Sequence, residues 1–294
     1  MKIHAPQTFN KAKLLGTFES GSQDWHEARS GGIGGSEIGT ILGLNPWESA
    51  YSLWAKKSGL IPVLQTSNFA MRLGQVLEAP ILDLWQEQNP EWEVFATGTY
   101  EDAELPFLHA NPDALAHNPE TGEWIILEVK TSRNYWDQLP PQYEAQVQHY
   151  LDVMGLQRGY VIGLVGMDWF EEEILRDEWQ IREQRKTAYE FWNCVQTGVR
   201  PTWDGSEATY NAVRAENPTI EDVAVEIDGV WQIAQAQEEY DRAKENLTKI
   251  KSQILAAMGN AKTAYVEHNG ERITVVQRQA RGEGLPYLVV KKGR

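Results

Sequence analysis

The rhythm of apolar and polar residues changes several times along the chain, and each change predicts an element. Trp124, Ile125, Ile126 and Leu127 run together before Glu128, Val129 and Lys130, the pattern of a buried central strand that ends in charge. A second continuous run, RGYVIGLVG at 158–166, predicts another buried strand, with a partner over 169–175. Residues 92–97, 98–102 and 106–111 alternate well enough for three more. Leu73, Leu77, Ile81 and Leu84 trace one face of a helix over 69–88, bent at Pro80. Shorter helices are predicted for DWHEAR at 24–29, for SEIGTILG with Ser36 as N-cap and Gly43 as its end, and for SAYSLWAKKSG. Helices over 137–154 and 177–196 complete an α/β core with a central mixed sheet.

From 201 to 226 the chain turns polar and irregular, which predicts a connector. Beyond it Ile233, Ala236, Tyr240, Ala243, Leu247, Ile250, Ile254 and Ala257 take heptad a and d positions, so a long helix with a seam to bury is expected. Asn269-Gly270 between TAYVEH and ERITVVQ predicts a hairpin turn. The expected organisation is a main domain over 1–205, a connector over 206–226 and a helix-and-hairpin extension over 227–294.

The charged end of the central strand carries the clearest chemistry. Strand alternation puts Glu128 and Lys130 on one face, and the turn residues Asn118, Pro119, Thr121 and Gly122 return Asp113 to a position beside Glu128. Two carboxylates suit a hard cation such as Mg2+, which leaves part of its shell to water and substrate phosphate, and Lys130 would orient the attacking water. An isolated Glu-x-Lys at a strand end otherwise reads as a surface ion pair. Here the preceding apolar run argues for burial, where unpaired charge is costly. Glu78 lies beside the apolar stripe of the 69–88 helix, within reach of that cluster. Arg29, followed by GGIGG and the helix expected to start at Ser36, forms a possible anion site, with an ordinary helix–turn–helix connection as the alternative. Gln146 and Gln148 sit in YEAQVQHY, a context where glutamines usually face water.

Composition narrows the function. With 27 basic against 42 acidic residues and a net charge of −15, the chain is not a passive coat for nucleic acid, though a local basic channel and bound metal remain compatible with DNA. From Glu271 onward the sign reverses locally, with Arg272, Arg278, Arg281, Lys291, Lys292 and Arg294 against Glu271 and Glu283, an expected auxiliary nucleic-acid contact. The one cysteine excludes a disulfide framework and a cysteine-based structural zinc site. No secretory leader or membrane-length apolar run is visible, so a cytoplasmic protein is expected.

DWHEARSGGIGGSEIGTILGLNPW, RLGQVLEAPI, HANPDALAHNPETGEWIILEVKTS and PPQYEAQVQHYLDVMG, in this order, resemble the YqaJ-type phage recombination exonucleases of the PD-(D/E)xK nuclease superfamily. The resemblance implies a restriction-endonuclease-like core, with the C-terminal helix and hairpin outside it. It implies metal ligation by Asp113, Glu128 and the Val129 carbonyl, Lys130 as catalytic lysine, and Glu78 as the helix-borne acid of the metal site. Arg29 and Ser36 match residues that hold a 5′-phosphate, Gln146 matches the motif glutamine near the DNA, and Gln148 in the same stretch is expected to contact the DNA with it. The implied activity is Mg2+-dependent digestion of one strand of duplex DNA from its 5′ end, with Mn2+ substituting. The implied partners are duplex ends, a single-strand annealing protein and further copies of the chain, in the extreme a ring trimer, within a bacterium carrying the phage or prophage. Ala114 stands where the family has Gly and Asn111 where it has a small Ser or Thr; neither removes a ligand. A restriction- or repair-type endonuclease and a non-catalytic DNA-binding scaffold are the alternatives.

Overall fold

The computed structural model describes residues 6, 8–9, 11–18, 21–63 and 68–290. Two compact units divide at Ile220 and Glu221. The first begins with β1 (Thr8–Phe9), β2 (Ala12–Gly16), α1 (Gln23–Ser30), β3 (Ile33–Gly34), α2 (Gly35–Ile41), α3 (Ala50–Lys57) and α4 (Phe69–Gln88). It continues through β4 (Glu93–Ala96), β5 (Thr99–Asp102), β6 (Leu108–Ala110), β7 (Ala114–Asn118), β8 (Glu123–Ser132) and α5 (Pro141–Met154). It closes with β9 (Arg158–Val165), β10 (Asp168–Leu175), α6 (Glu178–Thr197) and α7 (Glu207–Glu216). Among these described elements no helix is long and apolar enough to cross a membrane.

The central sheet runs β10-β9-β8-β7-β4, with β8 and β9 parallel and the remaining pairs antiparallel. β8 is therefore the middle strand, as its apolar run predicts. Its two faces separate cleanly by alternation. Ile125, Leu127 and Val129 pack with Ile81, Leu82 and Trp85 of α4, whereas Ile126 joins Val147 and Leu151 of α5. The same cluster takes in Tyr100 and Leu108 of a second sheet, ordered β1-β2-β5-β6-β3. α5 thus contacts both sheets, and the end of β8 that carries Glu128 opens toward it.

Local chemistry fixes the β7–β8 register. Asn118 Oδ1 accepts the N–H groups of Glu120 at 2.9 Å and Thr121 at 3.2 Å, and Gly122 takes a φ of +72° that a side chain would resist. Ala114 pairs with Leu127 and Asn118 with Glu123 in the resulting hairpin. α5 starts at Pro141 rather than at 137, because Pro141 disfavours helical backbone in the residue before it, and Pro140 has a non-helical ψ of 131°.

Residues 207–216 depart from the expected irregular connector by forming α7. Ser206 caps it by accepting the Thr209 N–H at 3.1 Å, Thr209 donates to Ser49 Oγ at 2.7 Å, and Tyr51 donates to Glu216 at 2.6 Å. Its polarity is that of the exposed face of a short helix whose other face lies on α3.

The second unit contains α8 (Gln232–Met258), β11 (Thr263–His268), β12 (Glu271–Gln279) and β13 (Tyr287–Val290). Asn269 and Gly270 both have positive φ, 51° and 81°, as the hairpin turn requires. α8 is the long helix that the heptad spacing predicts, and it has no buried residue, so the seam carrying Tyr240, Leu247 and Ile250 stays exposed within its unit. One expectation needs correction: β13 extends the hairpin to three strands where only two were expected. Lys291, Lys292 and Arg294 of the basic segment lie outside the described residues.

Candidate active site

Because Ala114 pairs with Leu127, Asp113 arrives opposite Glu128. Asp113 Oδ2 accepts the Val129 N–H at 2.7 Å, tying this carboxylate to the backbone of β8. Glu128 is 2% exposed. Its Oε1 receives Lys130 Nζ at 2.5 Å and Gln146 Nε2 at 2.6 Å, while its buried Oε2 has no hydrogen-bond partner. Lys130 is held from the other side by the Tyr143 ring, 5.0 Å from its ammonium. Gln146 also donates to the Tyr150 hydroxyl at 2.9 Å, and that hydroxyl donates to the Asn111 carbonyl at 3.2 Å.

Arg29, Ser36, Asp113, Glu128 and Gln146 line one cleft of about 200 Å³, together with Trp25, Thr99, His109, Asn111 and Tyr150. Arg29 Nη2 donates to Ser36 Oγ at 3.2 Å and its guanidinium lies 4.6 Å from the Trp25 ring centre. Glycines at two places make the walls meet. A Cβ on Gly35 would overlap the Tyr150 ring, and one on Gly163, at φ +156°, would overlap the Lys130 carbonyl oxygen.

The electrostatics are those of crowded carboxylates removed from water. Burial, and then the neighbouring Asp113, pushes Glu128 up to about 8 despite Lys130. Burial also raises Asp113 against the opposing pull of Lys130 and the Val129 N–H. Glu78 on α4 is pushed up to about 7 by burial and by the charge of Asp113, which puts it in electrostatic contact with the pair. Burial alone would lower Lys130, but Glu128 and Asp113 outweigh it and hold the ammonium protonated.

The donor set suits a hard divalent cation. Two adjacent carboxylates, an orphaned buried oxygen on one of them and a third acid nearby are what such an ion stabilises. Among the described residues no three His, Cys, Asp or Glu side chains close into a ready-made cage. A site of this kind leaves positions for substrate oxygens and water.

Two expected assignments change. Ser36 is not the N-cap of α2: Gly34 is, its N–H satisfied by Glu37 Oε2 at 2.9 Å, so the Ser36 hydroxyl is left to Arg29. Gln148 does not reach the cleft. It is buried with both amide atoms engaged, donating to the Leu175 carbonyl at 2.7 Å and accepting the Asp177 N–H at 3.0 Å, so it joins β10 to α6. Tyr143 and Tyr150 were not singled out from sequence, although their i−3 and i+4 spacing from Gln146 places all three on one side of α5.

Comparison with known proteins places the chain in a family. The YqaJ-like viral recombinase domain matches residues 24–157. The uncharacterized protein YqaJ of Bacillus subtilis (strain 168) is 30% identical over 276 residues, covering 88% of this chain and 85% of that protein. Among solved structures, the alkaline exonuclease LHK-Exo from Laribacter hongkongensis is similar with a TM-score of 0.50 at 19% identity, covering 60% of this chain and 94% of that one. The same exonuclease in complex with dAMP gives a TM-score of 0.51 at the same identity. These structures share the fold, a mixed sheet flanked by helices. The identity to the Bacillus protein across most of both chains, with the domain match over the segment that builds the cleft, makes this chain a member of the YqaJ-like viral recombinase family.

Proposed function

We propose that the chain is a Mg2+-dependent exonuclease that shortens one strand of linear duplex DNA in the 5′-to-3′ direction and leaves a 3′ single-stranded overhang. The observation that carries this reading is the Asp113–Glu128 pair with Lys130 Nζ 2.5 Å from the buried Glu128, beside a cleft that both carboxylates line together with Arg29. Asp113 and Glu128 would hold the ion, with Glu78 as the helix-borne acid in electrostatic contact with them and the Val129 carbonyl next to the acidic pair in the chain. When bound, Mg2+ offsets charge on the phosphoryl oxygens and lowers the proton affinity of a water. Lys130 would orient the attacking water through its ammonium, and the Tyr143 ring restrains the side chain that carries it. Gln146, already donating to Glu128 Oε1, keeps that carboxylate in one rotamer. Arg29, assisted by Ser36, receives the terminal 5′-phosphate, because a guanidinium presents two donors in a fork that matches phosphate oxygens.

The fold similarity to an alkaline exonuclease and the family's viral recombinase description support this chemistry. The 3′ overhang is the substrate a single-strand annealing protein requires, and a homo-oligomer around the duplex would keep the strand in place between cuts. Mn2+ would substitute, because carboxylate oxygens suit both ions.

Linear duplex and the same DNA as a covalently closed circle provide the test, each with Mg2+ or EDTA. Mononucleotides should accumulate from the linear form with Mg2+ alone. Cutting of the closed circle would instead identify an endonuclease, and no hydrolysis of either form a non-catalytic binder.

A further inference from the structure

Lys57, the last residue of α3, is a buried cation outside the cleft lining. Its side chain is 5% exposed, and its three ammonium protons have three acceptors. These are the Arg29 carbonyl at 2.9 Å, the Gly32 carbonyl at 2.6 Å and Glu37 Oε2 at 3.0 Å. A lysine this buried is retained only where it is paired. The pairing has a consequence for Arg29, because the second Glu37 oxygen lies 3.7 Å from Arg29 Nη2. Glu37 therefore stands between two cations and is closer to Lys57.

We propose that Lys57 is a positioning residue that keeps Arg29 available to a terminal phosphate. It engages the Glu37 carboxylate that would otherwise close on the guanidinium. The proposal rests on the reading that Arg29 receives the 5′-phosphate. Without the Lys57 ammonium, Glu37 becomes an internal competitor for Arg29, a carboxylate occupying the donors that a phosphate needs. The loss should fall on substrate binding at phosphorylated ends, and it should depend on the charge of Glu37.

The experiment measures kcat and KM on linear duplex carrying either a 5′-phosphate or a 5′-hydroxyl, for wild type, Arg29→Ala, Lys57→Met and Lys57→Met/Glu37→Gln. Lys57→Met should raise KM for phosphorylated ends and lower the phosphate preference in kcat/KM by about ten-fold, the size of one charge-assisted hydrogen bond. Adding Glu37→Gln should restore most of the preference, since no carboxylate then competes. The double variant also leaves no buried charge unpaired, so it tests the idea even if Lys57→Met folds poorly. A double variant whose preference is as low as that of Arg29→Ala overturns the proposal. So does a wild-type preference in Lys57→Met while Arg29→Ala loses it, a result that leaves the phosphate reading intact. An unchanged preference in Arg29→Ala removes the phosphate site itself, and this proposal with it.

Discussion

At the scale of single residues, the acidic pair and its lysine have separable jobs, and substitutions should separate them. Lys130→Ala should fold and bind divalent metal, because Asp113 and Glu128 remain, but its turnover should fall by about a hundred-fold or more, as for loss of a positioned proton-transfer group. Isothermal titration with Mg2+ alongside nucleotide release checks both halves, and near wild-type turnover would remove Lys130 from the reaction. The raised carboxylates predict a pH dependence of stability. A carboxyl whose folded value lies above its unfolded value of 4.5 contributes stability that is complete below 4.5. That contribution is lost as pH rises through about 7 for Glu78 and about 8 for Glu128. Metal-free protein should therefore melt at progressively lower temperature between pH 5 and 9 for about this reason, and Mg2+ should reverse the loss because it binds the ionised form and displaces protons. Melting curves in EDTA and in Mg2+ across that range check this; a gap between them that does not widen with pH contradicts it.

At the scale of elements, β8 positions the chemistry and β9 fixes where Lys130 stands. Lys130 pairs with Gly163, whose +156° φ brings the strands too close for any side chain. Gly163→Ala should cost about 3 kcal/mol or more, from backbone strain and overlap with a backbone oxygen. Urea unfolding measures that cost, and a change under 1 kcal/mol, roughly that of a surface substitution, would show the strand pair to be pliable. Much at this scale was legible in the sequence. The apolar run before Glu128 required a buried strand, and Asn118 with Gly122 required the turn that returns Asp113, so the juxtaposition followed from period and turn chemistry. What period could not give was the direction of amides on a buried helix. Gln146 and Gln148 are two residues apart, about 200° around the helix axis, so one meets Glu128 and the other the backbone of Leu175. Capping misled in two places. Ser36 looked like the natural N-cap, yet Glu37 satisfies the Gly34 N–H, and the Ser206 cap of α7 was hidden in a polar stretch read as irregular. Lys57 carried no signal at all, because its acceptors are carbonyls that only the folded turn assembles.

At the scale of the molecule, every side chain in the proposed reaction belongs to the first unit, which ends at Ile220. A chain cut after Ile220 should keep a cooperative unfolding transition, since its hydrophobic clusters are internal to that unit. It should also hydrolyse linear duplex in Mg2+; a fragment that folds but does not cleave would give the second unit a part in catalysis. The acidic whole, with a net charge of −15, makes activity depend on the local cations and the metal rather than on general attraction to DNA. The most direct test of the central claim is a linear duplex with distinguishable labels at the 5′ and 3′ ends of one strand, digested in Mg2+ by wild type and by Glu128→Ala. The account predicts early release of the 5′ label from wild type, survival of the 3′ label until late, and no release by Glu128→Ala or in EDTA. Early release of the 3′ label, or equal release by Glu128→Ala, would contradict it.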